Sequence, residues 1–329
     1  MKNFFKRLGI AIAIIVALYA GIYLLTYPRY TYSGTAPQMT FDEYYKIKLA
    51  KSAELGVRPG NEEKLARYSS GKTPLAILYI HGWSASRAEG EAVVDRIAER
   101  FRANTYYLRL PGHGLTKEEF AAAGYRDYID QAEEAFAMMP LLGERVIVMG
   151  GSMGGLLGTY LAAKYPGKMS ALILASPFYD FAPAPAKLFY YPGGTSLVEL
   201  LQGKVRRPTG GPTDVPGWEG YWTKEKYYSS FKSAADMVKY TARDAVYRKV
   251  ADPVLMLYYY DDEKNQDTTA SVAAMKRAFG LFGLDSKPNP LNRAVAIPKS
   301  AHVLLSKWVM SDRAMAEREI VDFVRLVGK

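Results

Sequence analysis

From residue 74 onward, short runs of almost unbroken hydrophobicity alternate with stretches of helical periodicity, and few arrangements other than a layered α/β sheet accommodate both. The runs are PLAILYI, ending at His81-Gly82; TYYLRL, ending at Pro111-Gly112-His113-Gly114; RVIVMG at 145–150; SALILAS at 170–176; PVLMLYYY at 253–260; and RAVAIP at 293–298. Helices are predicted between them over 88–101, 122–138, 153–165 and 268–279, and an amphipathic terminal helix over 312–326. Strands this apolar are buried on both faces, so the predicted fold is a mainly parallel central sheet flanked by helices. The rhythm stops between 177 and 250. That stretch is rich in Pro, Gly and Tyr and reads as a cap inserted between a first core part, 73–176, and a second, 251–329. Residues 28–72 read as a connector and helical extension, with KLAKSAELG and NEEKLARYSS as helical candidates interrupted by Pro59-Gly60.

A chain of 329 residues, 49% hydrophobic, can bury one large core. The absence of cysteine excludes disulfide frameworks, thiolate nucleophiles, Cys-ligated zinc and iron–sulfur clusters. Only His81, His113 and His302 remain as imidazoles, which argues against a multi-histidine metal site; no metal and no cofactor are expected. The net charge of +10 is dispersed and carries no nucleic-acid-binding pattern, so nucleic acid is not an expected partner. Three of the positive charges, Lys2, Lys6 and Arg7, stand just before the uncharged run from Leu8 to Leu25. That run approaches the roughly 20 residues needed to cross a bilayer, and no Ala-x-Ala-like cleavage site follows it. Residues 1–27 are therefore expected to form an uncleaved membrane anchor with the catalytic domain extracytoplasmic, periplasmic or extracellular. Secretion after signal cleavage and a buried or interfacial helix are the other readings. Nothing in the sequence fixes an oligomeric state.

The strongest chemical signal is Gly150-Gly151-Ser152-Met153-Gly154-Gly155, which lies between a predicted strand and a predicted helix. A sharp strand-to-helix turn needs small residues on either side, and it would hold Ser152 exposed at the carboxyl end of the sheet beside free helix N–H groups. A serine hydroxyl needs a base. His302, after the last predicted strand, is the candidate, because His81 and His113 precede the serine and end early strands. The acid that orients the imidazole is expected beyond a strand, between serine and histidine in chain order. The turn YYYDDEKNQD offers Asp261, Asp262, Glu263 and Asp267, and a short turn after the strand favours Asp262. Oxyanion donors are expected at the backbone N–H of Met153 and, from the loop IHGWSAS, of Trp83, with His81 bracing that loop.

These motifs together resemble the α/β-hydrolase superfamily, in particular its capped esterase, monoacylglycerol-lipase-like and lysophospholipase-like branch, over roughly residues 73–329. The marks are His81-Gly82-Trp83, Pro111-Gly112-His113-Gly114, the glycine-flanked Ser152, the Asp262 turn and Ser300-Ala301-His302. The resemblance implies an α/β-hydrolase fold, a Ser152–Asp262–His302 triad, and Trp83 and Met153 as oxyanion donors. It departs at Tyr258-Tyr259-Tyr260, where many relatives carry a Gly ahead of the acid. The expected activity is hydrolysis of carboxylic esters through an acyl-enzyme, on monoacylglycerol or lysophospholipid-like lipids. Leu188, Phe189, Tyr190, Tyr191, Leu197, Leu201, Trp218 and Trp222 would line the acyl site. A small-ester carboxylesterase, a serine aminopeptidase of the same fold and a catalytically silent membrane-anchored binding protein are the alternatives.

Overall fold

The structure, a computed structural model, describes residues 1–207 and 215–328; part of the predicted cap, 208–214, lies outside the described residues. The chain opens with α1 (Lys2–Leu25), α2 (Phe41–Glu54) and β1 (Lys64–Ala66). The alternating body follows as β2 (Thr73–Ile80), α3 (Glu91–Phe101), β3 (Asn104–Leu108), α4 (Lys117–Ala122), α5 (Tyr125–Met138), β4 (Gly143–Gly151), α6 (Met153–Lys164) and β5 (Ala171–Ala175). An excursion then carries a 3-10 turn (Ala184–Tyr190), α7 (Gly194–Gln202), β6 (Val205–Arg206), β7 (Lys226–Tyr227), α8 (Ser230–Thr241) and α9 (Asp244–Tyr247). The body resumes with β8 (Val254–Tyr259), α10 (Val272–Phe279), β9 (Arg293–Ile297) and α11 (Arg313–Val327).

Seven strands form one sheet in the order β1-β3-β2-β4-β5-β8-β9, parallel throughout except for β1, which runs antiparallel to β3 at the edge. Alternate residues of β2 feed opposite faces. Ala76, Leu78 and Ile80 join the layer under α5, α6 and α8, while Leu75, Ile77 and Tyr79 join the layer under α3 and α11. Each such fully buried aliphatic side chain contributes about 1.5–3 kcal/mol, so a sheet apolar on both faces stays in the middle of the molecule. The flanking helices show the complementary pattern. In α3, Val93, Val94, Ile97 and Ala98 make one buried stripe, whereas α6, packed on the sheet and under other helices, is buried all round up to Ala163.

Of the two helical candidates ahead of the body, KLAKSAELG lies largely within a helix and NEEKLARYSS needs correction. The helix in this region is α2, which begins at Phe41 behind a Thr40–Glu43 capping box. The stretch NEEKLARYSS is not helical, and its centre is β1, paired through Leu65 and Tyr106 to the sheet edge. A buried polar knot secures it. Glu63 accepts the Ser52 hydroxyl at 2.5 Å and lies 3.3 Å from the Arg109 guanidinium, which also donates to Ser52 Oγ at 2.9 Å and to the His113 carbonyl at 3.3 Å. Helix α1 is long and apolar enough to cross a membrane, with mean hydropathy 2.5 and none of its residues buried.

Candidate active site

The turn from β4 into α6 is shaped by what glycine lacks. A Cβ on Gly154 would stand 1.9 Å from the Ile80 carbonyl oxygen, and one on Gly150 would stand 2.4 Å from the Gly154 backbone, so the strand and helix can meet this closely only without side chains. Ser152 takes up the bend at φ 50°, ψ −113°, a strained conformation for a residue with a side chain. Its N–H donates to Ala175 O and its carbonyl accepts from Leu156 and Phe178. The backbone is thus held on both sides while the hydroxyl points away from the sheet end.

Ser152 Oγ lies 2.9 Å from His302 Nε2, and His302 Nδ1 lies 2.6 Å from Asp267 Oδ2. The carboxylate on the histidine is therefore Asp267 and not Asp262. Sequence counting assumed a short turn after the strand. Instead residues 260–266 fold back as a small hairpin, with Tyr260 bridged to Gln266, Asp261 N–H donating to Asn265 O, and Asp267 N–H returning to Tyr259 O. That excursion brings Asp267 back to the strand end. Asp262 stays exposed and accepts the N–H groups of Lys264 and Asn265, closing its own turn. Asp261 accepts the Lys299 N–H at 3.0 Å and so tethers the loop that carries His302.

Burial opposes ionisation of Asp267, but the facing His302 and the N–H groups of Ala270 and Thr269 outweigh it and hold the carboxyl below 3.8. Burial likewise works against a charged His302, and Asp267 overrides it, raising the imidazole above 6.5. With Nδ1–H donated to Asp267, Nε2 is left as the acceptor for the serine proton. The arrangement can accept a proton from Ser152 and hold the imidazolium that results.

Opposite Ser152 lies the turn after β2. Here His81 and His113 work as a pair. His81 Nε2 accepts the Leu110 N–H at 3.1 Å while its Nδ1 donates to Gly82 O at 2.8 Å; His113 Nε2 accepts the Ser84 N–H at 3.0 Å while its Nδ1 donates to Pro111 O at 2.9 Å. Each ring needs one bare nitrogen for this task. Burial keeps both neutral, His81 down at about 4 and His113 well below 6.5. Trp83 sits on the turn they brace, its ring against Phe120 and Phe231. Among the described residues no acceptor engages the backbone N–H of Trp83 or of Met153, the first residue of α6.

Sequence reasoning passed over Glu89. This carboxylate is buried, accepts the Gly82 N–H at 2.5 Å, and packs against Gly151, so it links the Trp83 turn to the Ser152 turn. Burial raises its pKa, and the Gly82 N–H opposes that rise. The signal was available: Glu89 lies four residues before Val93, in line with the buried stripe of α3.

Ser152 and His302 open into a cavity of about 1130 Å³ between the sheet end and the excursion. Of the eight residues expected to line an acyl site, Phe189, Trp218 and Trp222 face it. Leu188, Tyr190, Tyr191, Leu197 and Leu201 do not, and Leu201 is 72% exposed. Phe178, Phe181 and Phe231 supply the apolar wall in their place.

Residues 77–317 match the model of the Alpha/beta hydrolase family. Among curated relatives, the pimeloyl-[acyl-carrier protein] methyl ester esterase of Hamiltonella defensa subsp. Acyrthosiphon pisum (strain 5AT) is 29% identical over 119 residues, which is 34% of this chain and 39% of that protein. The enzyme of the same name from Yersinia pestis is 27% identical over 114 residues, 35% of this chain and 41% of its own length. The chain thus spans about two fifths of the curated relatives it matches. Among solved structures, one of the metagenome-derived lipolytic enzymes LipS and LipT superposes with TM-score 0.66 at 18% identity, over 82% of this chain and 99% of that one. The Paleococcus ferrophilus monoacylglycerol lipase superposes with TM-score 0.58 at 14% identity, over 81% and 99%. The family match spans most of the chain and includes the turns that carry Ser152, Asp267 and His302, and the protein belongs to the alpha/beta hydrolase family.

Proposed function

We propose that the protein is a serine carboxylesterase. The observation that carries this reading is the continuous chain from Asp267 through His302 to Ser152, at 2.6 and 2.9 Å. His302 takes the Ser152 proton as the hydroxyl attacks the ester carbonyl. Asp267 holds the imidazole in the required tautomer and offsets its charge. The N–H groups of Trp83 and Met153 receive the oxyanion, and His302 returns the proton to the departing alcohol. A water activated by His302 then attacks the acyl-enzyme, releasing the acid and restoring Ser152.

Residues 177–250 serve in this reading as the cap over a body made of 73–176 and 251–329, with 28–72 as the extension and 1–27 as a membrane anchor. Carboxylic esters of small or medium size are the substrate class supported best, because the curated relatives are named as methyl ester esterases. Monoacylglycerols and lysophospholipids form a second reading, supported by the Phe178, Phe181, Phe189 and Phe231 wall and by the apolar α1. An aminopeptidase is disfavoured. Its substrate amine requires free carboxylates, and among the described lining residues the one carboxylate is Glu89, already bound to Gly82.

The test is hydrolysis of p-nitrophenyl and glycerol esters from acetyl to palmitoyl by the full chain, with Ser152→Ala beside it and fluorophosphonate labelling as a second readout. Labelling and turnover that both vanish in Ser152→Ala are expected. An optimum at short acyl groups would support the carboxylesterase, and one at long acyl glycerols the lipid reading. A chain that neither labels nor turns over any ester would defeat both and favour a silent binding protein.

A further inference from the structure

The cavity above Ser152 is lined by four side-chain cations: Arg206, Lys224, Lys226 and Lys264. Lys224 has Glu219 at 3.8 Å and Lys264 stands on the exposed turn of residues 260–266. Lys226 is buried and Arg206, itself exposed, stands beside it. They face each other directly in the two-residue pairing of β6 with β7, so two positive side chains occupy one cross-strand site. Like charges so placed destabilise a sheet.

Among the described residues no carboxylate lies within ion-pair distance of either. Glu225, adjacent to Lys226 in the chain, is engaged elsewhere, 3.2 Å from Arg207 and 3.8 Å from Lys117. Lys226 is only 7% exposed, and the acceptor on its ammonium is the Lys224 carbonyl at 3.2 Å. Burial, with Arg206 adding to it, pushes the Lys226 amine down to about 8, so the group still carries its proton at neutral pH. A buried cation opposed by a second cation brings the fold a cost and no evident structural gain.

Position supplies the gain. The Lys226 ammonium lies 5.9 Å from the centre of the Trp83 ring and the Arg206 guanidinium 6.0 Å from that of Phe231, and those two rings touch at 4.8 Å. The cation pair therefore adjoins an aromatic pair that starts at the turn facing Ser152. We propose that Arg206 and Lys226 form a subsite for an anionic group, a carboxylate or a phosphate, carried by the ester at the end remote from its reacting carbonyl. The inference rests on the carboxylesterase reading and deepens it: the favoured substrates are esters that bear a negative charge. The apolar walls hold the chain between the two polar ends, and the anion offsets the two facing positive charges.

The experiment compares kcat/KM for p-nitrophenyl esters of matched chain length that end in methyl, carboxylate or phosphate, using the full chain, Lys226→Met and Arg206→Met. The wild-type protein is expected to favour at least one anionic ester by about 10-fold. That ratio should fall toward one in each variant and in high salt, and the larger of the carboxylate and phosphate ratios identifies the group the pocket takes. A wild-type ratio of one or less on both arms, with Ser152-dependent turnover of the neutral ester, overturns the subsite and leaves the esterase reading standing. If no ester is turned over, the esterase reading fails, and thermal shifts of Ser152→Ala with adipate, the neutral hexanamide and inorganic phosphate still decide the subsite. Stabilisation by an anion, lost in Ser152→Ala/Lys226→Met, upholds it, and equal or absent shifts overturn it.

Discussion

At the scale of single residues, three aspartates close together in the chain hold three different parts: Asp261 tethers the Lys299 loop, Asp262 closes its own turn, and Asp267 faces His302. Their roles separate in a pH profile. Neutral His302 is the base, and Asp267 holds its pKa above 6.5, so kcat/KM should rise with pH along a limb whose midpoint lies above that value. In Asp267→Asn the charge that raises the imidazole is gone, so the limb should move to lower pH while the plateau falls ~10³- to 10⁴-fold. Asp262→Asn should shift neither by more than about twofold, since a surface turn residue changes little. A limb that moves in Asp262→Asn and not in Asp267→Asn would reverse the assignment.

Asp252 titrates against the fold in another way. One carboxylate oxygen accepts the Met169 N–H at 3.2 Å, the other is buried without a partner, and burial raises the group to about 6. Because the folded pKa lies above the unfolded one, its contribution to stability is complete below about pH 4 and is lost as pH rises through about 6. Asp252→Asn removes that loss. The variant should gain roughly 3 kcal/mol at pH 8 and nothing at pH 4, read from urea midpoints at the two values. Equal effects at both would locate the change in packing instead of charge.

Among the elements, those whose burial follows a period were legible, and those set by distant partners were not. β2, β4, β5 and β8 are apolar on both faces and were found within about two residues of their ends, a normal margin. β1 escapes a local reading because Glu62, Glu63, Lys64, Leu65 and Ala66 suit a helix, and what makes Lys64–Ala66 a strand is the edge of β3. The same blindness applies to the acid. Nothing in YYYDDEKNQD states that residues 260–266 will fold back on themselves, whereas the glycine-flanked Ser152 declares its turn through residues that must lack side chains. The extension carrying β1 is expected to fold with the body, since Ser52 and Glu63 meet Arg109 in a buried site. Arg109→Met strands the Glu63 carboxylate there, and a loss of about 3–5 kcal/mol in a single urea transition is expected. An unchanged midpoint, or a separate early transition, would show the extension to be an independent unit.

For the whole molecule, the open question is how an apolar helix without buried residues relates to a body that is otherwise well packed. The two are joined by a strap of tyrosines. Tyr27 donates to Lys239 O at 3.0 Å, Tyr240 donates to Tyr30 O at 2.6 Å, Tyr125 donates to Arg29 O at 3.1 Å, and Tyr30 bonds Asp130. The helix itself makes fewer contacts, among them Tyr19 with Pro192 O at 3.2 Å and Tyr23 beneath the Lys239 ammonium at 4.2 Å. If α1 serves as an anchor and the strap as structure, two shortened chains will behave differently. One beginning at Thr26 keeps the strap and should melt within about 4 °C of the full chain, whereas one beginning at Gly34 loses these bonds and should melt several degrees lower still. Neither should float with liposomes in a density gradient, while the full chain should, because α1 is the one helix among the described residues long and apolar enough to cross a membrane. Flotation of the Thr26 chain would move the membrane contact to the excursion, where Leu197, Leu200 and Leu201 are exposed, and would make that surface and not α1 the part that meets lipid.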